Sequence, residues 1–161
     1  MSRQEHIERV WEIADEISVC MVTTHAGNRM RSRPMHAFAD PDAGCFWFIT
    51  DTRGLKDEEI EAAPDVCLNF ADISDNTYLS VTGRAEMVRD PAKAEELWST
   101  EAQVWWPNGP TDPVVRVLRV EPDQAEYWDA RGNSVVVAMK LLAARLTGTE
   151  PHFENKKVSM R

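Results

Sequence analysis

A chain of 161 residues with 43% hydrophobic content is the length of one globular domain and can fill an ordinary core. Its 27 acidic and 18 basic residues leave a formal net charge of -9. That balance argues against nucleic acid or an anionic membrane as partner, because both are gripped by Lys and Arg neutralising phosphates. No apolar run reaches the ~18–20 residues needed to cross a bilayer. The acidic, amphipathic start "MSRQEHIERVWEIADEI" is no signal peptide. Cys20, Cys45 and Cys67 are odd in number and form no CxxC pair, so they read as buried thiols of a reducing compartment. A cytoplasmic protein is predicted.

In chain order, Ile7, Val10, Trp11, Ala14 and Ile17 follow helical spacing, with Ser2 as a cap. "SVCMVTT" and "MRSRPMHAFA" read as strands joined through Gly27-Asn28, a hairpin. After the turn "DPDAG" comes "CFWFIT", an aromatic strand with both faces covered. "GLKDEEIEAA" is a short acidic helix, and "VCLNFAD" and "TYLSVTGRAEMV" are strands, Gly83 in the latter marking a bulge or bend. Asp90 and Pro91 open a helix over "PAKAEELWSTEA". "WWPNGPTDP" is a loop, "VVRVLRVEP" a strand that "QAEYWDA" continues, and "SVVVAMKLLAARLTG" a helix capped by Gly148, although its β-branched start suits a strand equally well.

Residues 1–150 therefore read as a single domain and 151–161 as a loose polar tail. About six strands joined by hairpin turns predict a mainly β, α+β fold: an antiparallel sheet curled into a small barrel with peripheral helices.

The chemistry concentrates in "RMRSRPMHAF", residues 29–38. As a strand, it places Arg29, Arg31, Arg33 and Met35 on one face and Met30, Ser32, Pro34 and His36 on the other. A row of guanidiniums on an acidic protein either pairs with its own carboxylates or awaits an anion. Pro34 cannot donate to a ladder, which puts this strand at an edge, at a bulge or at its end. In "WFITDTRGLKDEEI", Thr50, Thr52 and Gly54 precede Lys56 in the first turn of a helix, where unpaired amides and a positive dipole attract phosphate. Lys56 could instead pair with Glu59. Together the two segments point to a small phosphate-bearing ligand. His6, His25, His36 and His152 show no metal-ligand spacing, and no GxSxG or HExxH occurs.

The succession "SRPM", "FWFITDTRGLKDEEI", "YLSVTGRAEMV" and "WWPNGPTDPVVRVLRVEPDQAEYWD" resembles the general stress protein branch of the pyridoxamine 5'-phosphate oxidase-like FMN-binding split-barrel family, over roughly residues 5–132. The resemblance implies a six-stranded antiparallel split β-barrel with peripheral helices and a homodimer with an FMN in each of two interface clefts. It also implies a flavin-dependent oxidoreductase of the general stress protein type, with electron donor and acceptor unspecified. By the same resemblance, Arg31, Ser32, Arg33, Pro34 and Met35 line the flavin, with Arg31 or Arg33 directed to its phosphate or ring. Ile49 and Thr50 run beside the ring and ribityl chain, and Lys56 is the phosphate-binding lysine. Tyr78 matches a polar flavin contact, Trp128 an aromatic supplied by the other subunit, and Trp105 and Trp106 a cover over the cleft or anchors of their loop.

Two departures qualify the match. Leu55 stands where the oxidases carry a second cation. "DARGNSVVVAMK" after Trp128 lacks their basic, histidine-bearing segment, Arg131 being its one early cation, so vitamin B6 synthesis is not implied. A non-catalytic flavin-binding or sensing module, and a deazaflavin or haem in the same cleft, are the alternatives.

Overall fold

The computed structural model describes residues 1–55, 57–130, 134–150 and 154–161. Helix α1 (Arg3–Ile17) is followed by strands β1 (Val19–Ala26), β2 (Arg29–His36), β3 (Phe38–Asp40) and β4 (Cys45–Asp51). Next come α2 (Asp57–Ala62), β5 (Asp65–Asp72), β6 (Thr77–Val88), α3 (Pro91–Glu96) and α4 (Thr100–Trp105). The chain ends with β7 (Val115–Asp129), α5 (Ser134–Thr147) and β8 (Glu154–Ser159).

All strand pairings are antiparallel, and the sheet runs β2-β1-β5-β6-β7-β4-β3 with β8 added to β7. Among the described residues, the end strand β2 and the next-to-last strand β4 approach each other without pairing. The result is an open, split antiparallel barrel, as the sequence predicts.

Alternation along the strands fills the interior: Val66, Leu68 and Phe70 of β5, Leu79 and Val81 of β6, and Phe46 and Phe48 of β4 are buried. Helix α1 closes over them through Val10, Trp11, Ile13 and Ala14, and Trp11 packs on Phe46 with ring centroids 4.6 Å apart. Each such fully buried aliphatic or aromatic side chain contributes about 1.5–3 kcal/mol. Ser2 caps the helix in a reciprocal box with Glu5, and His6 accepts or donates at 2.7 Å to the buried Tyr127 hydroxyl. A second, smaller core lies outside β4 and β7, where Ala94 of α3, Val115 and Val117 pack with Trp47, Ile49, Trp98 and Trp106. Both faces of β4 are thus covered.

Strand β7 is the spine of the molecule. Along one edge it pairs with β6; along the other, Val115–Val120 pair with β4 and Gln124–Asp129 pair with β8. Pro122, which has no N–H to donate, falls where β4 gives way to β8 and where the β6 ladder shifts register between Thr82 and Gly83. A central strand tolerates proline only at such a bulge.

Several expectations change. The strand predicted over residues 29–38 breaks at Ala37, whose N–H donates to the Ser18 carbonyl, so β3 is a separate short strand. The helix predicted over "PAKAEELWSTEA" is two helices, because Ser99 caps a new start by accepting from the Ala102 N–H. The segment predicted as a loose tail supplies β8: Val158 is buried, Met160 donates to the Asp123 carbonyl at 3.0 Å, and Arg161 pairs with Asp123. One apolar residue in two suffices for a strand that adds to an existing edge. Cys20 and Cys45 are buried but Cys67 is only half-buried. Lys56, Arg131 and His152 lie outside the described residues.

A Cβ on Gly83 would press into the Glu121 carbonyl, whereas one on Gly54 would meet open space. Gly83→Ala is therefore expected to lower unfolding free energy by about 1–3 kcal/mol, and Gly54→Ala to leave it nearly unchanged, as read by urea denaturation.

Candidate functional site

A cleft of about 490 Å³ occupies the split, within the ~300–1,000 Å³ typical of sites for organic ligands. One wall is β2, contributing Arg31, Arg33, Pro34, Met35 and His36. The opposite wall is the end of β4, with Ile49, Thr50 and Asp51, continued by Gly54 and Leu55. Helix α4 and its C-terminal neighbour lay Glu101, Ala102, Trp105 and Trp106 across the top.

Both walls are free strand edges. Strand β2 pairs only with β1, and β3 covers β4 no further than Trp47. Among the described residues, the outer backbone groups from Phe48 to Asp51 have no strand partner. The Asp51 carbonyl accepts from the Leu55 N–H at 3.3 Å, so the group left to a ligand is the backbone of Ile49.

Pairing of Val22 with Arg33 and Thr24 with Arg31 places both guanidiniums on the interior face, as the period of two requires. Arg33 donates through Nη1 to the Thr24 hydroxyl at 2.7 Å and to the Val22 carbonyl at 3.4 Å. Its Nη2 is shut off from solvent and has no partner. Burial lowers the Arg33 pKa and the neighbouring Arg31 lowers it further, with Glu59 pulling the other way. An unpartnered donor beside a second cation lacks an anion.

The turn after β4 is organised by Asp51. Its Oδ1 accepts from the backbone N–H groups of Arg53 (2.8 Å) and Gly54 (3.1 Å), and its Oδ2 accepts from the Arg53 guanidinium (2.6 Å) and the Trp106 indole (2.8 Å). Burial alone would raise this carboxyl, but bonds from Arg53, Trp106 and the two amides outweigh it and hold the pKa below the ordinary range. The amides of Arg53 and Gly54 are therefore already engaged, and α2, a six-residue helix, begins with Asp57, Glu58 and Glu59. The positive side of the cleft is β2. Leu55, where a second cation was expected to be missing, is buried and serves the core.

Indoles fasten the top. Trp98 and Trp106 pack with centroids 6.1 Å apart, and Gln103 links Trp98 to the Pro107 carbonyl at 2.9 and 2.8 Å. His36 stacks on Phe38 at 4.5 Å beside the β2 wall.

Of the residues singled out in the sequence, Arg31, Arg33, Pro34, Met35, Ile49 and Thr50 converge here, with Trp105 and Trp106 above them. Ser32 does not: its hydroxyl bonds Thr23 at 2.6 Å on the outer face. Tyr78 and Trp128 sit opposite each other on β6 and β7, and neither lines the cleft of its own chain. Asp51 and Glu101 were missed. "TDTRG" carries a side-chain turn signal that could have found Asp51; Glu101 has none, since only the packing of α4 brings it to the cleft. Among the described residues, no three His, Cys, Asp or Glu side chains gather as a metal would require. Nor is any helix long and apolar enough to cross a membrane.

Residues 5–152 match the profile of the "Pyridoxamine 5'-phosphate oxidase like" family. The chain belongs to that family. Solved structures share its fold at low sequence identity. A candidate general stress protein 26 from Jannaschia sp. CCS1 is 24% identical, with 97% of this chain and 99% of that one aligned at a TM-score of 0.77. A protein related to general stress protein 26, from Clostridium acetobutylicum, is 19% identical over 99% of this chain and 96% of that one, at a TM-score of 0.71. The general stress FMN/FAD binding protein of Xanthomonas citri is 24% identical, covering 81% of this chain and 92% of that one at a TM-score of 0.70. No curated protein matches the chain in sequence.

Asp51→Ala should release both the turn and Trp106, costing about 1–3 kcal/mol of stability and shifting tryptophan emission. The folded carboxyl titrates below its unfolded value of about 3.9, so its contribution is present above that pH and lost as pH falls through the lower folded value. Thermal melts of wild type should therefore fall between pH 5 and pH 3 more steeply than those of Asp51→Asn.

Proposed function

We propose that the cleft between β2 and β4 binds FMN, and that the protein is a flavin-dependent oxidoreductase acting as a homodimer. The observation that carries this reading is the convergence of Arg31 and Arg33 on one wall of the cleft in an otherwise acidic protein. A dianionic phosphate supplies what those two cations lack. The family and the FMN/FAD binding relative support a flavin as its carrier.

Arg31 and Arg33 then hold the phosphate, joined by Lys56 on the strength of the family resemblance. The free backbone of β4 at Ile49 and the side chain of Thr50 offer donors and acceptors to the ribityl chain and ring edge. Pro34, Met35 and Ile49 form apolar walls that exclude water, and Gly54 leaves space that a side chain would take. Tyr78 and Trp128, outside their own chain's cleft, come to the site of a second subunit. They lie on an outer sheet face that also exposes Val19, Met21 and Met30, an apolar surface suited to a second copy. When bound, FMN supplies electron transfer through its isoalloxazine ring, and the chain's share is to bind, orient and desolvate it.

Purified protein is expected to be yellow with a flavin spectrum; a haem band or a deazaflavin spectrum would replace FMN with that occupant. Arg33→Met should weaken FMN binding roughly ten-fold or more, from the loss of a charge-assisted contact of about 1.5–3 kcal/mol. Riboflavin, which lacks the phosphate, should bind wild type and variant alike. Equal loss for both ligands would remove the phosphate role, and no binding of either would sink the flavin reading. Anaerobic reduction by NADPH no faster than that of free FMN would leave a binding module in place of an enzyme.

A further inference from the structure

Among the described residues, helix α5 leaves most of its apolar side chains exposed. Met139, Leu142 and Leu146 recur at the spacing of a helix-packing stripe, yet they are 66%, 59% and 79% exposed. So apolar a helix is stable in water only when that stripe is covered. Its charges are Lys140 and Arg145, with no acid between Ser134 and Thr147.

A complementary surface exists over the cleft. On α4, Val104 and Trp105 are 74% and 68% exposed beside Glu101. The stretch from Ala94 to Trp105 contains Glu95, Glu96 and Glu101 and no Lys, Arg or His. One exposed apolar patch is basic and the other acidic. Two α5 helices would instead set Lys140 and Arg145 against their own kind, which disfavours their pairing with each other.

The two patches depart from opposite ends of β7. Helix α4 is tied to Asp51 through Trp106, and Asp51 pairs with Val115 at the start of β7. Helix α5 departs beyond Asp129, at the other end of β7. That strand covers about 46 Å at ~3.3 Å per residue. The connection after Asp129 and the full length of α5 reach only about 35 Å at maximum extension.

We infer that α5 of one subunit lies across α4 of its partner, with Met139, Leu142 and Leu146 on Val104 and Trp105, and covers the mouth of the partner's cleft. The inference rests on the dimer of the proposed function. Each cleft is then roofed in trans, and a ligand reaches it only when the partner's helix lifts.

The test uses full-length protein carrying Val104→Cys and Leu146→Cys in a Cys67→Ser background, treated with a flexible bis-maleimide. A covalent dimer is expected on denaturing gels, with at least ten-fold less from either single variant. A cross-link confined within one chain would overturn the inference. So would no cross-link in a protein that sediments as a dimer, an outcome that leaves the dimer reading intact; a monomer by sedimentation overturns both. As a second measurement, Leu142→Glu/Leu146→Glu should speed labelling of the thiol introduced by Val104→Cys by about ten-fold, and an unchanged rate counts against the roof. Pelleting of wild type, but not of that charged variant, with phosphatidylserine vesicles would assign α5 to a membrane surface instead.

Discussion

Two strand edges that curl toward each other and stop short of pairing set the character of this molecule. A closed barrel would satisfy the backbone of β2 and β4 with each other and leave no cleft. Here β1 and β7 each hold one of those strands from behind, and the gap between them keeps its unpaired amides and carbonyls. Exposed edges of this kind invite aggregation unless something covers them. The indole of Trp106, anchored through Asp51 and the Trp98 contact, provides part of that cover, with Trp105 beside it.

Electrostatics within the gap follow from where each charge is satisfied. Asp51 carries full negative charge at neutral pH but spends both oxygens on Arg53, Gly54 and Trp106, so it shapes the turn more than it repels a ligand. Arg33 is the opposite case. Two of its contacts go to β1, and its third nitrogen is dry and idle. Cys20, by contrast, has its thiol pushed up to about 12 by burial and offers no nucleophile.

Local signals in the sequence were strongest where one residue has one conformational answer. Ser2 and Asp90 as caps, Gly27 and Gly148 at positive φ, and Gly83 at the bulge all follow from short-range sterics or hydrogen bonding. The alternation of Arg29, Arg31 and Arg33 with Met30 and Ser32 likewise assigned the faces of β2 correctly. Legibility failed where a neighbour distant in sequence decides. Glu154–Ser159 has too little apolar content to announce a strand, and becomes one because β7 offers an edge. The amides of Arg53 and Gly54 are taken by the Asp51 side chain, a local turn that "TDTRG" signals and that the sequence reading passed over.

Composition and period were therefore enough for an antiparallel sheet curled into a small barrel with its arginines on one face of a strand, since each depends on spacings of a few residues, whereas the split and the family rest on the resemblance of whole segments to known relatives. Which cations meet which walls, that Ser32 faces away, that α4 brings Glu101 and two indoles over the gap, and that α5 is left bare were settled by folding. Those facts depend on contacts across tens of residues, and the energy of such contacts belongs to pairs that no stretch of chain contains by itself.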